Sequence, residues 1–236
     1  MKDSQSIGRF QWKILFYAKL KLILSILSAL FIPLFFSAAS VHKALWNIDT
    51  FMVIPVIILF AELYYLELYY GTSDIVYCTV RRKSGIFFIR CGIISALLLL
   101  MAAVVLLIYY LMNPNLRHDA NSSAHFLLSG LYAYICTSVF FGAFSCTVTN
   151  LTHNNFMGIG ASLGLFAMYY FVDFFKRNTI LSMFVFQACP LWGYAKLFYL
   201  GLGIVLLVCN DRLIGQSPYR SVWGRRKWIK KSRLQS

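Results

Sequence analysis

The amino-acid sequence predicts an all-α integral membrane protein with six transmembrane helices. Of its 236 residues, 60% are apolar and only 13% are charged, whereas soluble domains are typically about 45 to 50% apolar and about 25% charged. A helix needs roughly 20 consecutive, mostly apolar residues to cross a bilayer, and its backbone must be hydrogen-bonded internally there. Segments of this kind occupy residues 20–40, 51–70, 92–112, 126–148, 156–175 and 191–209. We therefore expect one transmembrane domain over residues 1–236.

Two segments flank the predicted spans. Before the first span, Ile7, Phe10 and Ile14 recur at helical spacing, which predicts an amphipathic helix in the membrane interface. After the last span, residues 211–236 form a basic tail. A basic tail held beside anionic lipid already has an electrostatic partner, so we expect it to meet the lipid bilayer and not nucleic acid.

The distribution of positive charge predicts the orientation of the chain. Five Lys and Arg residues precede the first span or lie in its first turn, four lie between the second and third, and eight follow the last, so that one side holds 17 of the 22. Cytoplasmic loops of membrane proteins carry the excess of Lys and Arg. We therefore expect a multi-pass protein of the cell (plasma) membrane with both termini in the cytoplasm, a short external loop at residues 41–50 and a short cytoplasmic loop at 149–155.

Polar residues within the second span are candidates for a substrate path. Glu62 lies eight residues before the end of that span, and Tyr65 and Tyr69 share its helical face. Acidic residues at this depth are rare because burial of a charge near the bilayer centre costs about 2.5 to 3.5 kcal/mol. Glu62 is thus either hydrogen-bonded for structural reasons or part of a substrate path, and the sequence leaves both interpretations open.

Small residues form two stripes on the fourth and fifth spans, and such stripes let helix backbones approach closely. The first stripe consists of Ser138, Gly142, Ser145 and Thr149, and the second contains Gly160 and Gly164. We interpret both as helix-packing surfaces, and the second also as a candidate dimer face.

Motifs of catalysis and cofactor binding are missing from the sequence. The six cysteines stand singly, no two histidines have metal-ligand spacing, and no Gly-x-x-x-x-Gly-Lys-Ser/Thr nucleotide loop occurs. Motifs of intramembrane proteases are also absent. We therefore expect no catalytic residue, metal or cofactor in this chain, and an enzyme is not the expected class.

The segment that follows the second span resembles the type-2 exporter permeases of ATP-binding-cassette transporters. In that family a Glu-x-x-x-Gly-Thr element ends the second span and opens a cytoplasmic coupling helix. The residues that match the element, the acidic and aliphatic pair after it and the basic residues before the third span are Glu67, Gly71, Thr72, Asp74, Ile75, Arg81 and Arg82. The six spans and the interfacial helix also resemble the family, so the likeness covers nearly the full length.

The resemblance implies a half-transporter without its own ATPase. It would pair with a second permease copy or homologue and be driven by a separate ATP-binding-cassette ATPase subunit, which would bind the ATP and Mg. Few charged residues lie within the spans, so the expected substrate is apolar or amphiphilic, such as an antimicrobial peptide, an antibiotic or a lipid-linked molecule, with export or resistance as the role. The alternative is a membrane interaction or immunity protein that binds a partner without transport.

Overall fold

The computed structural model describes residues 41–70, 83–112, 123–171, 183–184 and 192–215. Every regular element in these ranges is a helix, which confirms the all-helical class for this part of the chain. The six helices are α1 (Val41–Phe51), α2 (Val53–Tyr70), α3 (Lys83–Met112), α4 (Ser123–Thr152), α5 (Asn155–Phe171) and α6 (Trp192–Gly215).

Four stretches of the described residues are long and apolar enough to cross a membrane, and this supports a multi-pass membrane protein. They are Lys43–Leu63, Phe87–Met112, His125–Thr152 and Trp192–Leu213. Helix α5, in the region of the predicted fifth span, has 17 residues and therefore a length of about 25 Å, slightly less than a hydrocarbon core of about 30 Å. The predicted first span, the interfacial helix and the basic tail lie outside the described residues.

Residues 41–50 are helical, so the prediction of an external loop there is wrong. Two polar residues in this stretch, Asn47 and Asp49, are buried and have partners on neighbouring helices. Asn47 donates a hydrogen bond to the Tyr109 hydroxyl, and Asp49 forms an ion pair with Lys196 of α6. The candidate span formed by α1 and α2 therefore begins at Lys43, eight residues before the predicted start.

The short break between α1 and α2 falls at Met52 and has a local cause. Pro55 has no N–H to bond to the carbonyl of Phe51, and its ring crowds that carbonyl. The Met52 N–H still bonds to the Ile48 carbonyl at 3.2 Å. The helix is therefore interrupted at one residue only, and α1 and α2 serve as one candidate span.

Helix α4 is the centre of the bundle, since it packs against each of the other five helices. It runs parallel to α1 and α2. The Thr137 hydroxyl reaches Asp49 and the Ser145 hydroxyl donates to the Ile57 carbonyl, and in both pairs the partners are 88 residues apart. A constant difference means that residue numbers rise in the same direction along both helices.

Helix α6 also runs parallel to α4. Near the beginning of both helices the Tyr132 hydroxyl donates to the Gly193 carbonyl at 2.9 Å, and near their ends the Asn150 amide donates to the Asn210 side chain at 2.9 Å. The segments connecting the three parallel helices α2, α4 and α6 must therefore return across the bundle, and α3 and α5 do so.

Helix α3 is antiparallel to α1 and α2, as shown by two hydrogen bonds. Asn47 contacts Tyr109 near one end, and Arg90 contacts Leu63 near the other. Helix α5 reverses direction after α4 through a turn at residues 153–154, where His153 has a φ of 51°. Taken as one candidate span, α1 and α2 are followed by α3, α4, α5 and α6 in alternating directions, as consecutive membrane spans require.

Candidate functional site

The predicted coupling element begins at the end of α2. The backbone of Glu67 lies in the last turn of that helix, and Tyr65 and Tyr69 belong to the same helix. The remaining residues assigned to the element lie outside the described residues, and they are Gly71, Thr72, Asp74, Ile75, Arg81 and Arg82. Residues 71–82 connect α2 to α3, so the element joins two antiparallel helices that pack against each other.

Arg90 ties α3 to α2 close to this connection. Its side chain is only 2% exposed, and its Nη1 donates to the Leu63 carbonyl at 3.2 Å. The sequence placed Arg90 in a cytoplasmic loop before a span beginning at residue 92. Helix α3 instead begins at Lys83, so Arg90 is a helical residue inside the bundle.

Glu62, the candidate for a substrate path, is buried with 7% exposure. The side-chain amide of Asn155 donates to its Oε1 at 3.1 Å. Asn155 is the first residue of α5 and is itself buried. The carboxylate therefore links α2 to the turn between α4 and α5, which agrees with the structural interpretation of Glu62, while a place on a substrate path stays a prediction.

A buried ion pair lies near the other end of the bundle. The Lys196 ammonium of α6 is 2.5 Å from Oδ2 of Asp49 on α1, and the two side chains are 3% and 1% exposed. Lys196 also donates to the Thr137 hydroxyl of α4 at 2.6 Å. That hydroxyl is 2.5 Å from the second Asp49 oxygen. One acid, one base and one hydroxyl thus join three helices without access to solvent.

Sequence reasoning missed this ion pair although both partners carried a signal. Asp49 falls in the predicted loop at residues 41–50, and Lys196 falls in the predicted last span at residues 191–209. An unpaired acid and an unpaired base, each beside or within a long apolar segment, are a candidate pair because intramembrane charges usually neutralise each other. The sequence offers no means of choosing this pair among others, since 147 residues separate the two.

An uncharged polar cluster joins α4 to α6 near the C-terminal ends of both helices, away from the ion pair. The Asn210 amide donates to the Thr147 hydroxyl at 2.8 Å and to the Ala143 carbonyl at 3.3 Å. Its Oδ1 accepts from Asn150. Helix α6 is therefore attached to α4 by polar contacts near both of its ends.

The stripe of small residues predicted on α4 is a helix-packing surface, as expected. A methyl group added at Gly142 would lie 2.8 Å from the Phe60 ring of α2. One turn later the Ser145 hydroxyl donates to the Ile57 carbonyl at 2.9 Å. The small side chains on this stripe let α2 lie directly against α4.

Among the glycines of α5, Gly158 contacts α4. A methyl group there would overlap the Thr149 hydroxyl and lie 2.9 Å from the Ser145 carbonyl. Gly160 and Gly164 lie on another side of α5, where no atom comes within 4 Å of an added methyl group. A side chain at either position would thus have open space among the described residues, and the role of the two glycines in contact with a second copy stays a prediction.

Among the residues that the structure describes, no three His, Cys, Asp or Glu side chains come together as a metal site. The buried polar groups described above are arranged as contacts between helices. The chain matches no protein-family model, no curated protein and no solved structure. What the fold and its buried contacts define is the class of protein: a helical membrane bundle with several candidate spans.

Proposed function

We propose that this chain is the permease subunit of an ATP-driven exporter in the cell membrane. The observation that carries the proposal is the element Glu67-x-x-x-Gly71-Thr72 at the end of α2. The ATPase would be a separate subunit that binds ATP and Mg, and a second permease copy or homologue would complete the transporter. The substrate would be apolar or amphiphilic, such as an antimicrobial peptide, an antibiotic or a lipid-linked molecule.

The contacts around the element support a role in transmitting force. Residues 71–82 connect α2 to α3. Close to this connection, Arg90 of α3 donates to the carbonyl of Leu63 on α2, and Leu63 lies four residues before Glu67. Glu62, the residue before Leu63, bonds α2 to the first residue of α5. A displacement of the connection by a soluble partner would therefore move packed helices together, which is how hinge and shear motions of rigid elements are transmitted.

The same contacts bear on the substrate. Glu62 accepts a hydrogen bond inside the bundle, and Asp49 and Lys196 neutralise each other. A substrate with a fixed charge would have to displace one of these partners. An apolar or amphiphilic substrate needs no such displacement, in keeping with the many exposed aliphatic side chains on α3, α5 and α6.

The first test is whether an adjacent reading frame encodes a Walker-type ATPase, as the proposal requires, and that ATPase is then used as the partner protein. Purified together in mild detergent, the proteins should form a complex of two permeases and two ATPases. In liposomes the permease should increase the rate of ATP hydrolysis. Gly71→Val should abolish this increase if the coupling turn needs a backbone angle at residue 71 that is open mainly to glycine, because strain of that kind is worth roughly 1 to 3 kcal/mol and would misdirect the coupling helix.

The matched control is Gly92→Val on α3, where no atom lies within 4 Å of an added methyl group. It should insert, bind the ATPase and stimulate it as the wild type does. Equal stimulation by Gly71→Val, Gly92→Val and the wild type would show that residues 71–82 are not the coupling element. A protein that binds no ATPase in several detergents would instead fit the alternative, a membrane interaction or immunity protein that does not transport.

A further inference from the structure

The ion pair between Asp49 and Lys196 joins the most buried of the four candidate spans, which contains Asp49, to the least buried one, which contains Lys196. Only 22% of the most apolar window of α6 is buried, compared with 78% for the span that contains Asp49. Large apolar side chains such as Leu197, Phe198 and Val205 are exposed along α6. Packing of apolar surface therefore holds this helix to the bundle less extensively than it holds α2.

Lys196 does not behave as a lysine near the end of a membrane helix ordinarily does. It lies four residues after the start of α6, where the long side chain can reach the interface and keep its charge in water. Instead it turns inward, is 3% exposed, and places its ammonium between Asp49 and Thr137. The ammonium thus takes the carboxylate and the hydroxyl as its partners in place of water.

The Thr137 hydroxyl contacts both charged groups of the pair. Lys196 donates to Oδ2 of Asp49 and to the Thr137 hydroxyl. The Thr137 hydroxyl carries one proton and has two acceptors in reach, Oδ1 of Asp49 at 2.5 Å and the Ala133 carbonyl at 2.9 Å. Both carboxylate oxygens are thereby engaged by groups on other helices.

We propose that Asp49 and Lys196 form a clamp that docks α6 onto α1 and α4, and that each charge resides in the bundle only because the other is there. Removing one partner of a buried pair leaves an uncompensated charge, which is strongly destabilising. Removing both charges with side chains of similar volume is often neutral. The clamp is independent of whether the protein transports a substrate.

The test compares four full-length variants: Asp49→Asn, Lys196→Met, the double neutral variant, and the charge exchange Asp49→Lys with Lys196→Asp. A green fluorescent protein fused to the C-terminus reports how much protein accumulates in membranes with its tail in the cytoplasm. A thermal melt of the detergent-solubilised protein reports how firmly the bundle is folded. The control is Lys43→Met, which removes an exposed charge from the same helix as Asp49.

Each single neutralisation should lower the amount of folded protein by about tenfold, equivalent to about 1.4 kcal/mol, and Lys43→Met should not. The double neutral variant should recover to near the wild-type level, and the charge exchange should exceed either single variant. Recovery is the diagnostic result, because it is readable even if a single variant fails to accumulate. A double variant as impaired as the two losses combined, or single variants equal to the wild type, would overturn the clamp.

Discussion

Gly203→Ala should loosen the contact between α4 and α6. An added methyl group at Gly203 would lie 2.9 Å from the backbone nitrogen of Phe140 and 2.9 Å from Cγ1 of Val139. Ordinary contacts between such atoms begin at about 3.5 Å. A side chain can rotate away, but the Phe140 backbone belongs to the central helix of the bundle. The methyl group therefore requires α6 to move outward by about 0.5 Å, since that is the shortfall from ordinary contact.

The expected cost follows from this displacement. Forcing an extra methyl group into a packed interface typically costs about 1 to 3 kcal/mol, and a gap of about 0.5 Å also forfeits about a quarter of the dispersion energy of the separated atoms. For a chain of this size, each kcal/mol lowers the melting temperature by roughly 2 to 4 °C. We expect Gly203→Ala to melt about 2 to 12 °C below the wild type.

The matched control is Gly201→Ala on the same helix, where no atom lies within 4 Å of an added methyl group. The gain in helix propensity from glycine to alanine is similar at the two positions, about 1 kcal/mol in an exposed helix, so it cancels in the comparison. The difference between the two variants isolates the steric contact with α4.

Buried thiols make the measurement direct. Cys136 and Cys146 are buried in α4, so a thiol-reactive fluorophore reaches them only when the bundle opens on heating. Cys209 is exposed and gives a baseline signal at low temperature. If Gly203→Ala melts at the same temperature as Gly201→Ala, then α6 does not approach α4 at this point and the attachment of α6 described here is incorrect.

Three further results are expected. Gly158→Ala should melt below Gly160→Ala in the same assay, because only the first methyl group meets the backbone of α4; equal melting would contradict the α4–α5 contact. Asn210→Leu should cost about 0.6 to 1.7 kcal/mol, the range for an interhelical hydrogen bond in a membrane, and an unchanged melt would remove the amide cluster as an attachment. An impermeant thiol reagent should label a cysteine placed at Asn121 but not one at Ser232, and the reverse would overturn the predicted orientation.

Composition and spacing predicted the helical class and part of the packing. Long apolar runs were sufficient to locate α4, which encloses the predicted span 126–148. The small residues on that helix were also informative, because close approach of helices requires small side chains whatever the partner is. Gly142 and Ser145 both contact α2, although the sequence did not identify the partner helix.

Other features depend on pairs of residues, which a single sequence does not reveal. The loop predicted at residues 41–50 lies between two long apolar runs and contains the polar residues Asn47 and Asp49. Their partners Tyr109 and Lys196 remove the reason to place them in water. The choice of Gly160 over Gly158 as the packing glycine of α5 has a similar origin, because a helix with small residues on several sides does not indicate which side meets a neighbour.

The coupling element is a prediction of a different kind. It rests on the residues around Gly71 and on a family resemblance, and residues 71–82 lie outside the described part of the chain. The helices at either end of these residues are described, however, and they are bonded together by Arg90 and Leu63. The predicted coupling element thus connects two helices that contact each other, so a force on the element would act on both.

The 147 residues between Asp49 and Lys196 also separate the two in time. A ribosome adds about 5 to 20 residues per second, so Lys196 is made roughly 7 to 30 s after Asp49. Throughout that interval the part of the chain already synthesised contains Asp49 but not its partner Lys196. We therefore expect the helices made before α6 to keep Asp49 in contact with water or with the insertion machinery until Lys196 is available.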